Sequence, residues 1–315
     1  MNLLLTIDVD NDGIAIQDER TALSWTALAR IPDIKEACDR LGLRVTWFVR
    51  ADSQLRQVYG TAMYLLLEYA PLWRQMEGSG DEIAWHPHLY QWDGGDRRYV
   101  MDTNEDCCVR KLEEARAELL AGGFRHSSVR MGEAFQCNAT IAALARLGLE
   151  VDSTAIPGRK RADASRTFDW APTPNEPYRP SKADYRLPDP DSHFDILEVP
   201  MTTMPVKATY DPAPLPRYIN PAYCHPAFKA GIDLHLENLP RPLASQTFLT
   251  LVLHPDEVVS ARRSHPLYAF SLKEMENNVE YLLKTMESHG LEWRSLCMKD
   301  VPALRSAPNV SGAPA

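Results

Sequence analysis

Two short patterns of acid and imidazole carry the first chemical signal in this chain. Asp8-Val9-Asp10 follows the apolar run Leu3 to Ile7, and His86-Pro87-His88 follows Glu82 to Trp85. In each, the polar residues are two apart, so an extended backbone turns both side chains the same way. Pro87 disfavours a helix and favours that extended chain. Two imidazoles and one carboxylate make three protein ligands and leave a position for water, the usual layout of a catalytic zinc site. A bound metal lowers the pKa of its water, and a second carboxylate beside it can serve as general base. Arg130, Asp152 and His254 sit at the ends of three further strand-like segments. Singly, each has a plain explanation: a turn-capping acid, an ion-pair arginine, a histidine closing a strand. Together, at successive strand ends, they favour chemistry, because parallel α/β proteins bind ligands beyond the carboxyl ends of their strands.

The elements that must position these residues alternate along the chain. Leu3 to Ile7, Arg44 to Val49, Glu82 to Trp85, Ser128 to Met131 and Leu149 to Asp152 read as strands. Helical spacing appears around Ile34 to Leu41 and over Glu105 to Leu120, which ends at Gly122-Gly123, and over Asn138 to Leu147, which Gly148 closes. Gln54 to Gln75 reads as a long helix interrupted at Pro71. Residues 154–193 break the rhythm as a Pro-, Asp- and Arg-rich loop, functional or poorly ordered. Strands at Ile196 to Val199, Phe248 to Leu253 and Glu292 to Leu296, with a helix over Leu272 to His289, complete the pattern. The βα alternation predicts an α/β fold, a distorted (β/α)7 barrel, as one catalytic domain over residues 1–305. The tail 306–315 is expected to be disordered.

Composition bounds the partners. The formal charge of −9 offers no surface for a phosphate backbone, so nucleic acid is not an expected partner. The first apolar run is too short for a signal peptide or a membrane span, and the six cysteines form no Cys-x-x-Cys pair. A cytoplasmic protein with reduced thiols is the expectation, with homo-oligomer formation left open. His126, His193, His225, His235, His265 and His289 lack surrounding motifs and read as structural or surface residues, and Cys107-Cys108 as packing.

The ordered set of motifs resembles the polysaccharide deacetylase superfamily, also called carbohydrate esterase family 4 or the NodB-homology group. Thr6-Ile7-Asp8-Val9-Asp10 is similar to its first motif in a divergent branch with imidase-like and allantoinase-like members. Gly80 to His86 resembles the segment before the metal histidines, Val129-Arg130-Met131-Gly132 the third motif, Asp152-Ser153 the fourth and Leu253-His254-Pro255 the last. The resemblance implies Asp8 as general base and Asp10, His86 and His88 as ligands of one divalent ion, zinc foremost. The family's usual second histidine position is Tyr90, so His88 or Tyr90 completes the site. It further implies Arg130 positioning Asp8, Asp152 tuning the network, Leu253 lining an acyl pocket and His254 as general acid. Tyr90 and Trp170 are placed with the substrate, a sugar or small molecule.

The implied activity is N-deacetylation of an amino sugar or related small amide, with cyclic-amide hydrolysis of the allantoinase type as the alternative. A haloacid-dehalogenase-type phosphatase fits Asp8 but lacks the later paired acids and lysine. A glycosyltransferase leaves the histidines unexplained. A catalytically dead sugar-binding relative is the rival from another class.

Overall fold

The computed structural model describes residues 1–17, 20–163, 166–239, 247–259 and 263–306. Its centre is an eight-stranded, all-parallel sheet. The strands in chain order are β1 (Asn2–Val9), β2 (Val45–Arg50), β3 (Glu82–His86), β4 (Ser128–Val129), β5 (Val151–Asp152), β6 (Leu197–Glu198), β7 (Phe248–Leu253) and β8 (Arg294–Ser295). They lie in the order β6-β5-β4-β3-β2-β1-β7, with β8 paired to the start of β1. Between β6 and β7 the described ladder gives way to single contacts. Thr202 N–H donates to Thr250 O (3.3 Å), and Ile219 forms a lone parallel bridge to Leu251. The barrel is therefore distorted where β6 and β7 face each other, with seven strands along its main path.

Both faces of the sheet are covered, which explains why β1 and β2 are apolar almost throughout. Leu3, Leu5, Ile7 and Val9 point outward into the helix-covered core, while Leu4 packs inside the barrel with Phe48, Ala84, Val151 and Leu197. Met298 and Val301 plug the end of the barrel remote from the acidic and imidazole motifs. Each fully buried Leu or Phe contributes roughly 1.5–3 kcal/mol by leaving water. This double layer holds the strand ends rigid.

Three expectations need correction. The helix expected over Gln54 to Gln75 is three helices, Ser53–Tyr59, Tyr64–Glu68 and Ala70–Gly78. Gly60, with φ 82°, ends the first, and Pro71 sits in the opening turn of the third, where its missing N–H costs nothing. The 154–193 loop contains a hairpin, Lys160–Ala162 with Thr167–Asp169, and buries Trp170 and Tyr178. A helix over His225–Glu237 and three hairpins (Gly13–Gln17 with Arg20–Ser24, Tyr90–Asp93 with Arg98–Met101, Thr203–Val206 with Leu215–Tyr218) were not anticipated. Residues 307–315 of the expected disordered tail lie outside the described residues, and Ser306 ends a helix from Val301. No described helix is long and apolar enough to cross a membrane.

Candidate metal and catalytic centre

A cleft of about 480 Å³ opens beyond the carboxyl ends of β1, β3, β4 and β7. Asp8, Asp10, His86, His88, Arg130 and His254 all line it. The strand period of two explains the grouping. In register, Thr6 pairs with Val252 and Ile7 with Leu253, so Asp8, Thr6 and Val252 turn inward together.

Arg130 is buried and spends its guanidinium on four bonds. It donates to Thr6 Oγ1 (2.8 Å), Asp8 Oδ1 (2.7 Å), Ser153 O (2.7 Å) and Ser153 Oγ (3.0 Å), and it lies 4.4 Å from the Phe48 ring centre. Burial alone raises the pKa of Asp8, but the charges of Arg130, His86 and His254 outweigh it and hold the carboxyl below its usual range. Asp8 is thus an ionised acceptor with one oxygen fixed.

Asp10, His86 and His88 offer ligand atoms that all lie within 4.8 Å of one another. His88 Nε2 is 3.0 Å from Asp10 Oδ2 and 3.2 Å from His86 Nε2. Donors about 2 Å from one shared tetrahedral ion stand roughly 3.3 Å apart, so these separations suit a divalent ion. The tautomer suits it too. His86 Nδ1 meets the Arg130 carbonyl at 2.7 Å, which places its proton there and leaves the Nε2 lone pair facing the other two donors. Burial pushes the His86 imidazole down to about 4, so it is neutral. His88 is held by packing: Tyr90 stacks on its ring at 5.1 Å, and a Cβ at Gly132 would come within 2.4 Å of it.

His254 follows β7 and stands 3.8 Å from Asp8 Oδ2 and 3.3 Å from Glu257 Oε1. Burial opposes its positive charge, but Glu257, Asp8 and Asp256 prevail and raise its pKa to about 10. It is an imidazolium at neutral pH.

Four expected residues sit elsewhere. Leu253 points away from the cleft into the outer core, and its neighbour Val252 lines the cleft instead, one step along the pleat. Asp152 lies on the opposite face of its strand from Ser153. It accepts from Gln136 Nε2 (2.6 Å) and pairs in register with Glu198. Burial and the charge of Asp152 push the Glu198 carboxyl well above its usual range. Trp170 is buried under the 154–193 loop, donating to Ala134 O (2.9 Å). Tyr90 backs His88 and donates its hydroxyl to Glu133.

Residues that sequence reasoning missed complete the centre. Arg50 is buried between Asp10 (2.9 Å) and Asp52 (2.7 Å). Asp52 also caps the Ser53–Tyr59 helix through Leu55 N–H (3.0 Å) and accepts from His88 N–H (3.2 Å). Its only signal was Asp-Ser after a strand, the grammar of a helix cap. Glu133 and Ala134 bring left-handed backbone (φ 57° and 55°) to the cleft wall, a strain that non-glycine residues hold only where the surroundings enforce it. His265, read as structural, also lines the cleft.

Neither a family model nor a curated protein matches the sequence. Solved structures do match. A protein of Parabacteroides distasonis provisionally described as a glycoside hydrolase/deacetylase superposes with a TM-score of 0.64 at 14% identity, over 96% of this chain and 70% of its own. A protein of Mycobacterium smegmatis provisionally described as a polysaccharide deacetylase gives 0.51 at 16% identity, over 100% of this chain and 94% of its own. The chain has the distorted barrel fold of the polysaccharide deacetylases.

Proposed function

We propose that this chain is a metal-dependent amide hydrolase that removes an N-acyl group from an amino sugar or a related small amide. One observation carries the reading: a convergent Asp10-His86-His88 donor set shares its cleft with an arginine-clamped carboxylate, Asp8, and an imidazolium, His254. Asp10, His86 and His88 would hold the ion, and a divalent metal such as zinc supplies Lewis acidity toward the amide carbonyl and acidifies water.

The chain's own groups account for the proton traffic. Asp8, kept ionised by Arg130, accepts a proton from the attacking water as it adds to the carbonyl carbon. His254, kept protonated by Glu257 and Asp8, gives its Nε2 proton to the leaving nitrogen as the C–N bond breaks. The products are a carboxylic acid and a free amine. Arg50 and Asp52 hold Asp10 and the His88 backbone in place, the kind of outer support that metal ligands need.

The test is metal content by elemental analysis of wild type, Asp10→Ala and His88→Ala, together with amine release from N-acetyl sugars and ring opening of cyclic amides before and after chelation. About one divalent ion per wild-type chain is expected, with sharp loss in both variants. Hydrolysis should vanish with the metal and return on its restoration. A metal-free wild type, or turnover that survives chelation, would overturn the reading.

A further inference from the structure

The cleft is rich in arginine, although the chain as a whole is acidic. Arg130, Arg159, Arg161, Arg166, Arg217 and Arg263 all line the cleft. Most are neutralised. Arg130 pairs with Asp8, Arg161 with Asp163, Arg166 with Glu133, Arg217 with Asp211 and Arg263 with Asp256. Among the described residues no carboxylate pairs with Arg159, whose Nη1 donates to the Pro216 carbonyl (3.2 Å). Its charge is held at a cost: burial and the neighbouring Arg217 and Arg161 guanidinium groups disfavour its protonated form. Arg217 adds a buried Nε that has no acceptor among the described residues.

A half-buried guanidinium beside two others is costly unless an anion completes it. Its planar fork of donors matches the oxygens of a carboxylate or phosphate. The backbone holds it in place: Gly158 (φ 77°) turns the chain, Arg159 N–H donates to Ile156 O (3.1 Å), and Arg159 O accepts from Trp170 N–H (2.8 Å). The buried Trp170 anchors this turn by its main chain.

We propose that Arg159, with Arg217 and Arg161 beside it, forms an oxyanion-recognition subsite, so that the substrate carries a carboxylate or phosphate in addition to its acylated nitrogen. This rests on the amide-hydrolase reading for what reacts, but binding tests it separately.

The experiment measures binding by calorimetry of three probes at physiological salt: N-acetylglucosamine, its 6-phosphate, and N-acetylmuramic acid, which is neutral, phosphorylated and carboxylated in turn. At least one anionic probe should bind wild type about tenfold or more tighter than the neutral sugar, the scale of a charge-assisted pair. Arg159→Gln should erase that preference with metal content unchanged and Tm not lowered, and Arg159→Lys should keep part of it. The preference must persist after chelation, since phosphate also ligates metal. Equal binding of all three probes, or a preference that survives Arg159→Gln or disappears with the metal, overturns the subsite. An anion preference without hydrolysis of any amide leaves the subsite standing and removes the amide-hydrolase reading; hydrolysis without preference does the reverse.

Discussion

The two sides of the cleft are built differently. One side is made of strand ends: Asp8 on β1, His86 on β3, Arg130 after β4 and His254 after β7, each facing a partner from another strand end. The other side comes from segments outside the barrel sheet, with Arg159 and Phe168 from one loop and its hairpin, Arg217 and Tyr218 from a second hairpin, and His265, Tyr268 and Phe270 from a third segment. Strands buried on both faces have one register and one inward set, so they suit groups that must hold position during bond breaking. Loops carried on that scaffold can vary in shape and charge without disturbing it, and they suit selection among substrates. The difference separates a rigid reacting side from an adaptable recognising side.

The largest effect that would sharpen this contrast is expected at Asp8. Asp8→Asn should lower kcat by about 10²–10⁴-fold with little change in KM. Steady-state kinetics beside elemental analysis checks this, and a loss explained by lost metal would place Asp8 among the ligands instead. The pleat supplies the next test. Leu253→Ala should cost about 2–5 kcal/mol of unfolding free energy by opening a core cavity, with KM unaltered. Val252→Ala should alter KM for the acyl group and cost less stability, because its side chain faces the cleft. Denaturant unfolding and kinetics on both variants would break the assignment if the effects were exchanged. A further test concerns His254. Its pKa is about 10 in the fold, against about 6.5 in an unfolded chain. The stability it contributes is therefore fully present below about pH 6.5 and is lost as pH rises through about 10. The Tm difference between wild type and His254→Gln should narrow across that window, and a constant difference would show that the imidazolium is not stabilised by Asp8 and Glu257.

The residues Asp8, Asp10, His86, His88, Arg130 and His254 were legible because their information is local: a strand-like run followed by a polar group at a spacing of two. The barrel's sequential strands were legible for the same reason. Asp152 and Leu253 were misplaced because a strand's period says which residues share a face, but not which face looks into the cleft. Arg50 and Asp52 read as ordinary strand-end and cap residues until the fold set them against Asp10 and His88.

The sequence by itself determined the alternation of strand and helix and the donor types at the strand ends. Hydrophobic period and backbone extension act over only a few residues, so they are written in the chain directly. Only the tertiary structure decided that Arg130 clamps Asp8, that Val252 rather than Leu253 faces the cleft, and that Arg159 stands there with no carboxylate partner among the described residues. Those outcomes depend on contacts between segments far apart in the chain, where register and loop closure, rather than local pattern, choose the neighbours.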